Sequence, residues 1–184
     1  MTIAPVLRAP VGSMTRTTAA AAAAAVVAGG IHLWVMPEHL VASLPVGIFF
    51  LAVGCAQILL AAVLVVESPG PGAMAGIVVA HLALVALYVA SRTQDLPFAP
   101  FHSAGGHVDP EAAAAAAPGG VGNGIPVYPG ARIEPVGILD LVCVLAEIAL
   151  VALLLGRLPA RARAVVLDIA VVLGATVGVL RLTA

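Results

Sequence analysis

Apolar residues are gathered into five long stretches of the chain, and most polar residues lie between them. Each stretch has about the 20 residues that an α-helix needs to cross a membrane. Backbone groups within hydrocarbon must be hydrogen-bonded internally, so stretches of this length predict helices. The predicted transmembrane helices of a single membrane domain (1–184) cover residues 17–36, 45–66, 72–91, 137–156 and 164–182.

Composition agrees with this pattern. The 184 residues are 62% hydrophobic and only 9% charged, whereas a soluble domain carries roughly 25% charged residues. A protein surface so poor in charge predicts that the partner of this chain is the lipid bilayer, which would surround it in place of water. The net charge of −1 gives no general attraction to nucleic acid. We therefore expect an all-α integral membrane helical bundle.

The arginines predict the orientation of the bundle. Cytoplasmic loops carry an excess of basic residues, and five of the eight arginines lie before the first stretch or between the fourth and fifth. This bias predicts an N-terminus inside, an outer loop over residues 92–135, and location in the cell inner (plasma) membrane. The first stretch, with seven consecutive alanines before Gly29 and Gly30, also resembles a secretory signal. If that signal were cleaved, four transmembrane helices would remain.

Polar residues inside the stretches fall at two depths. At 1.5 Å per residue, one group lies roughly 13 Å from the cytoplasmic end and the other about 22–24 Å from it. The mid-membrane group contains Gln57, His81 and Glu147. The group near the outer surface contains His32, Tyr88 and Asp140.

Spacing predicts that the third and fourth helices present polar stripes to each other. His81, Tyr88 and Arg92 follow i, i+7 and i+11, and Asp140, Cys143 and Glu147 follow i, i+3 and i+7. Because these helices are antiparallel, Glu147 is expected to meet His81, and Asp140 to meet Tyr88 and Arg92. The predicted buried polar stripe comprises Gln57, His81, Tyr88, Arg92, Asp140, Cys143 and Glu147.

An ionisable residue at the centre of a membrane costs at least ~2.5–3.5 kcal/mol, so each needs a partner or a function. The ordinary interpretation is a set of hydrogen bonds between helices, worth ~0.6 kcal/mol each. A proton or ion relay is an alternative, and so is a transition metal held by His81, Glu147, Cys143 and Cys55. A haem between His32 and His81 is disfavoured by roughly 9 Å of predicted difference in depth.

The outer loop contains a second candidate site in "FHSAGGHVDPE", residues 101–111. Imidazole and carboxylate groups suit copper or zinc, but the ordinary interpretation of this glycine-rich segment is a solvated loop. An outer metal cluster is expected only if the end of the first helix contributes to it. Its candidate ligands are His32, His39, His102, His107 and Asp109.

The remaining motifs concern packing rather than chemistry. "GATVG" places Gly174 and Gly178 in a G-x-x-x-G pattern, typical of a helix face that packs closely against a helix of this chain or of another membrane subunit. No G-x-S-x-G, Walker, H-E-x-x-H or C-x-x-C motif is present. No catalytic residue is therefore predicted.

Three segments, "GIHLWVMPEHL", "SRTQDLPFAP" and "EPVGILDLVCVLAE", resemble a group of small uncharacterised multi-pass membrane proteins of high-GC bacteria. The pattern of that group is S-R-T-x-G-L-P-x-G-P after the third helix and E-x-V-G-x-x-D at the start of the fourth. Asp95 and Ala99 stand where that pattern has glycine. The resemblance implies an outer-face feature at His32, Ser91, Arg92, Thr93, Glu134 and Asp140, and it implies no activity.

Together these observations favour a non-enzymatic membrane protein, either an accessory or structural subunit or a small-ligand-binding bundle with a buried polar stripe. Handling of copper, zinc or a cofactor at the outer face is the first alternative. Proton-coupled transport is the second alternative. It is disfavoured because five spans without an inverted repeat are poorly suited to alternating access.

Overall fold

A computed structural model of the chain describes residues 15–93 and 136–183, and the described residues form five α-helices. All five are long and apolar enough to cross a membrane. The prediction of an all-α bundle of five helices is confirmed. The helices are α1 Arg16–Ala42, α2 Leu44–Val66, α3 Pro71–Thr93, α4 Ile138–Leu155 and α5 Ala160–Thr183.

The helix ends follow local chemistry. The side chain of Thr15 accepts a hydrogen bond from the Thr18 amide at 3.2 Å, which caps the start of α1. The helix continues beyond its predicted end at residue 36 and passes through Pro37, because proline removes only one backbone donor from an apolar segment that otherwise remains helical. At the start of α4, the Gly137 amide donates to Asp140 Oδ2 at 2.8 Å.

The helices pack in the order α2, α1, α4, α3, α5, each against its neighbour in that series. The first helix is therefore internal, and three of its alanines, Ala21, Ala25 and Ala28, have no exposed surface. Small side chains let neighbouring backbones approach closely in a membrane, where van der Waals contact rather than the hydrophobic effect holds helices together. At the end predicted to be cytoplasmic, Arg157 Nη1 donates to Thr18 Oγ1 at 2.8 Å and links α4 to α1.

Two glycines bring α1 and α2 into backbone contact. A Cβ atom on Gly29 would lie 3.0 Å from the Gly54 carbonyl oxygen and 3.0 Å from Gln57 Cβ. A Cβ atom on Gly54 would lie 2.7 Å from Leu33 Cγ. Neither position has room for a larger side chain without displacing one helix. This contact lies three residues before both His32 and Gln57, and it positions the polar site described next.

Candidate functional site

Polar side chains from four helices meet in the centre of the bundle. Gln57 of α2, His81 of α3 and Glu147 of α4 are 2%, 5% and 3% exposed, and half-buried His32 of α1 joins them. We call these four residues, together with Cys143, the polar core. The other buried residues of the bundle are almost all hydrophobic. The polar core therefore has to provide its own hydrogen-bond partners in place of water.

Gln57 is the link between α1 and α4. Its side-chain oxygen accepts a hydrogen bond from His32 Nδ1 at 2.9 Å, and its amide nitrogen donates to Glu147 Oε1. An amide can accept at one end and donate at the other, so Gln57 fixes the orientation of an imidazole and a carboxylate at once. His32 is thereby left with Nε2 as its available ring nitrogen.

His81 approaches Glu147 from the opposite side. Its Nδ1 donates to the Ile77 carbonyl oxygen at 2.8 Å, and its Nε2 lies 3.6 Å from Glu147 Oε2. Neither Nε2 nor Oε2 has a hydrogen-bond partner among the described residues, and both atoms are buried. In their basic forms both atoms are acceptors. Two acceptors that face each other without a donor form an incomplete site.

Cys143 lies one helical turn from Glu147 and faces His32. Its Sγ is 3.9 Å from His32 Nε2 and 4.0 Å from the Ala28 carbonyl oxygen. His32, Cys143 and Glu147 each offer one metal-ligating atom, and these three atoms lie within 4.8 Å of one another. The polar core therefore contains nitrogen, sulfur and oxygen ligands that could hold a metal ion.

The position of His32 corrects the two-layer prediction. Counting rise along the helix placed His32 near the outer surface, yet it hydrogen-bonds to Gln57 of the mid-membrane layer. Side chains on a helix tilt toward its N-terminus. Because α1 and α2 are antiparallel, the two side chains tilt toward each other. The small residues Gly29 and Gly54, each three positions earlier, are the sequence signal that indicates this close crossing.

The predicted metal ligand Cys55 does not join the polar core. It lies on the exposed face of α2, so the proposed combination of Cys55 with His81, Glu147 and Cys143 is wrong. Gln57, two positions further along α2, faces the polar core. Residues two positions apart do not share a helix face, so Cys55 points away from the polar core. His32 takes the place that Cys55 was expected to fill.

The outer part of the predicted stripe consists of Tyr88, Arg92 and Asp140, and only some of its expected contacts fall within the described residues. Asp140 caps α4 through the Gly137 amide, and Tyr88 is half-buried on α3. The side chain of Arg92 lies outside the described residues, so its expected contact with Asp140 remains a prediction. Ser91 donates to the Tyr88 carbonyl oxygen at 2.8 Å.

Only two of the five candidate ligands of the predicted outer metal cluster, His32 and His39, lie within the described residues. His39 Nδ1 donates to the Val35 carbonyl oxygen at 2.9 Å, and the His39 ring stacks on Phe50 with 4.1 Å between ring centroids. Phe50 also contacts the His32 ring, with 5.4 Å between ring centroids, so both histidines lie on the face of α1 that meets α2. His102, His107 and Asp109 lie outside the described residues.

Five apolar helices around a buried polar core indicate a multi-pass α-helical membrane protein. Comparison of the chain with protein-family models, curated proteins and solved structures found no match. The resemblance to small membrane proteins of high-GC bacteria stays a prediction.

Proposed function

We propose that this chain is a non-enzymatic protein of the plasma membrane whose polar core binds a small cation, with a proton as the simplest case. The observation that supports this proposal is the 3.6 Å approach of His81 Nε2 and Glu147 Oε2, two buried atoms that have no hydrogen-bond partner among the described residues. Glu147 Oε1 accepts a hydrogen bond from Gln57, but a buried carboxylate oxygen without a partner, as Oε2 is, costs free energy. A proton or metal ion at this position would satisfy both atoms.

A purely structural role accounts for the site less well. Hydrogen bonds that only hold helices together are expected to satisfy their donors and acceptors. Gln57 and His32 meet that expectation, since both ends of the Gln57 amide are bonded. The His81–Glu147 side of the same network does not, because two buried acceptors lack a donor among the described residues. The incomplete half is where a cation would bind.

The proton case is tested by spectroscopy on the full chain in mild detergent after treatment with a chelator. Infrared difference spectra between H₂O and D₂O report a neutral carboxylic acid, and ¹⁵N-histidine NMR reports the protonation of His81. We expect a proton on one member of the His81–Glu147 pair. The assignment uses Glu147→Gln, which removes the acid and keeps the shape, with Glu38→Gln at an exposed position as the control.

An ionised Glu147 beside a neutral His81 in the chelated protein would show that the pair holds no proton. The proposal would then survive only if a metal ion binds there instead. With neither a proton nor a metal ion, the polar core would be packing alone.

The accessory-subunit role is a second candidate, and α5 supports it. This helix packs mainly on α3, and Cβ atoms added to Gly174 or Gly178 would meet nothing within 4 Å among the described residues. A helix from another subunit could therefore approach this face closely.

Light scattering in mild detergent and crosslinking in native membranes test this candidate. We expect Gly174→Leu with Gly178→Leu to reduce association, whereas Gly76→Leu, at another open glycine, should not. A wild-type protein that is monomeric in detergent and uncrosslinked in membranes would exclude it.

A further inference from the structure

The polar core has the composition of a divalent metal site. We propose that His32, Cys143 and Glu147 bind one zinc-like transition metal ion in the middle of the membrane. This inference rests on the proposed cation-binding function and names its ligand class. It moves the expected metal site from the outer loop to the centre of the bundle, where α1 and α4 meet.

Ligand type supports zinc or a metal of similar character. Imidazole nitrogen, thiolate sulfur and carboxylate oxygen are the three ligand types that zinc accepts, at about 2.0–2.3 Å. Tetrahedral geometry at those bond lengths separates ligand atoms by about 3.3–3.6 Å. His32 Nε2 and Cys143 Sγ are 3.9 Å apart, and all three ligand atoms lie within 4.8 Å of one another. Zinc binding would bring these atoms closer together.

Charge favours a divalent ion. A thiolate from Cys143 and a carboxylate from Glu147 carry two negative charges, and an ion of charge +2 makes the group neutral. A neutral group is far less costly in a low-dielectric interior than separate charges. A monovalent ion would leave one uncompensated negative charge at the same depth.

Gln57 supplies the orientation that metal ligands require. A metal-bound histidine usually donates its other ring N–H to a nearby acceptor, and a ligating carboxylate is usually hydrogen-bonded as well. Gln57 provides both, since it accepts from His32 Nδ1 at 2.9 Å and donates to Glu147 Oε1. One side chain therefore leaves His32 Nε2 and Glu147 Oε2 open for the metal.

His81 lies beside the three proposed ligands and is a candidate for the fourth position around the metal ion. Its Nδ1 is held by the Ile77 carbonyl oxygen, and its buried Nε2, without a partner among the described residues, lies 3.6 Å from Glu147 Oε2. Three-ligand zinc sites keep a fourth position open. His81 Nε2 is available for that position, or can accept a hydrogen bond from a water bound there.

The test measures binding of zinc and cobalt to the full chain, purified in mild detergent without a polyhistidine tag and with its thiols reduced. We expect one equivalent of zinc, and a thiolate-to-cobalt charge-transfer band when cobalt replaces it. Cys143→Ser should abolish the band. Cys55→Ser, which removes the exposed cysteine of α2, should leave it unchanged.

Histidine and glutamine variants define the rest of the site. His32→Ala should lower zinc affinity, whereas His39→Ala, which removes the neighbouring histidine on the same helix face, should not. Gln57→Leu removes no ligand, yet it should weaken zinc binding about 10–100-fold because both ligands lose their orientation. The double variant His102→Ala with His107→Ala should keep the cobalt band.

Zinc that binds without a cobalt–thiolate band in the wild-type protein would overturn the inference, whether or not any variant folds. Loss of zinc in the His102→Ala, His107→Ala protein alone would place the metal in the outer loop. If no metal binds but the His81–Glu147 pair holds a proton after chelation, this inference fails and the proposed function stands. If both are absent, both fail.

Discussion

At the residue scale, Gln57 decides how the polar core is arranged. A hydrophobic residue at this position would leave His32 Nδ1 and Glu147 Oε1 without the partners that they now share. Buried donors and acceptors that lose a partner cost about 1–3 kcal/mol each. The amide thus stabilises the junction of α1, α2 and α4 and also determines which ring nitrogen and carboxylate oxygen stay open.

Substitutions at Glu147 separate hydrogen bonding from packing. Glu147→Gln can still accept from Gln57 and can donate its own amide hydrogen to His81 Nε2. We expect its unfolding free energy in mild detergent to stay within about 1 kcal/mol of the wild-type value. Glu147→Ala removes the acceptor of the Gln57 amide and the carboxyl group with which His81 would share a proton, and it should cost about 1–3 kcal/mol. Glu67→Ala, at an exposed position just after α2, is the control and should change stability by less than about 0.5 kcal/mol.

Equal losses for Glu147→Gln and Glu147→Ala would contradict this account. They would mean that the ionised carboxylate itself, rather than its hydrogen bonds, stabilises the bundle. Infrared spectra of the same samples would then identify the ionised group directly.

The sequence predicts some residues of the site better than others, for physical reasons. The 3.6-residue period fixes relative positions within a helix, so the stripe of Cys143 and Glu147 on α4 could be read directly. The period does not fix the rotation of one helix against another. Cys55 was misplaced because it was considered without Gln57, which lies two positions away and therefore on the opposite side of α2. His32 was assigned to the wrong layer because its tilt toward Gln57 is not visible in a count of rise per residue.

At the element scale, the crossing of α1 and α2 depends on glycine. The Gly29 and Gly54 backbones are so close that an added Cβ at either position would lie 3.0 Å from a backbone oxygen of the other helix. Backbone atoms cannot rotate away as a side-chain end can, so the helices would have to separate. Separation would lengthen the hydrogen bond from His32 to Gln57, which spans the same junction.

Adjacent glycines on α1 provide a matched test of this crossing. Gly29→Ala should destabilise the protein by about 1–3 kcal/mol, the usual cost of overpacking. Gly30→Ala adds the same methyl group to the same helix but meets nothing within 4 Å. It should be neutral, or stabilising by up to about 1 kcal/mol through helix propensity. Thermal or chemical unfolding in mild detergent measures both.

Because helix propensity affects the two variants alike, their difference isolates the contact between α1 and α2. Similar unfolding free energies for Gly29→Ala and Gly30→Ala would mean that the helices do not approach so closely. The position of His32 beside Gln57 would then lose its physical basis.

At the scale of the whole molecule, α1 is an integral part of the bundle. It packs on both α2 and α4, contributes His32 to the polar core, and is tied at its start to Arg157. The number and type of the helices followed from hydropathy, because the requirement for internal hydrogen bonds in lipid leaves few alternatives. Their packing order depends on side-chain shape, and the sequence indicated only the contact between α3 and α4, through the polar stripes that bring His81 to Glu147.

Accessibility of introduced cysteines tests the orientation that the arginines predict. In a Cys55→Ser background, cysteines at Val41 and Ala104 should react with a membrane-impermeant maleimide on intact cells. Cysteines at Ser68 and Ala160 should react only after lysis. Val41 and Ser68 flank opposite ends of α2, and Ala160 begins α5. Ala104 belongs to the predicted outer loop and lies outside the described residues.

The physical reason for this expectation is the distribution of positive charge. Arginine-rich segments are retained on the cytoplasmic side, and residues 157–163 carry three of the eight arginines within one short turn and the start of α5. Cleavage of a signal would leave the orientation of the other four helices unchanged, so the test does not depend on α1. Labelling of cysteines at positions 68 and 160 on intact cells, with those at 41 and 104 protected, would mean that the bundle has the opposite orientation in the membrane. It would put the end of α1 that carries His39 on the cytoplasmic side. A metal ion approaching His32 past that end would then come from the cytoplasm.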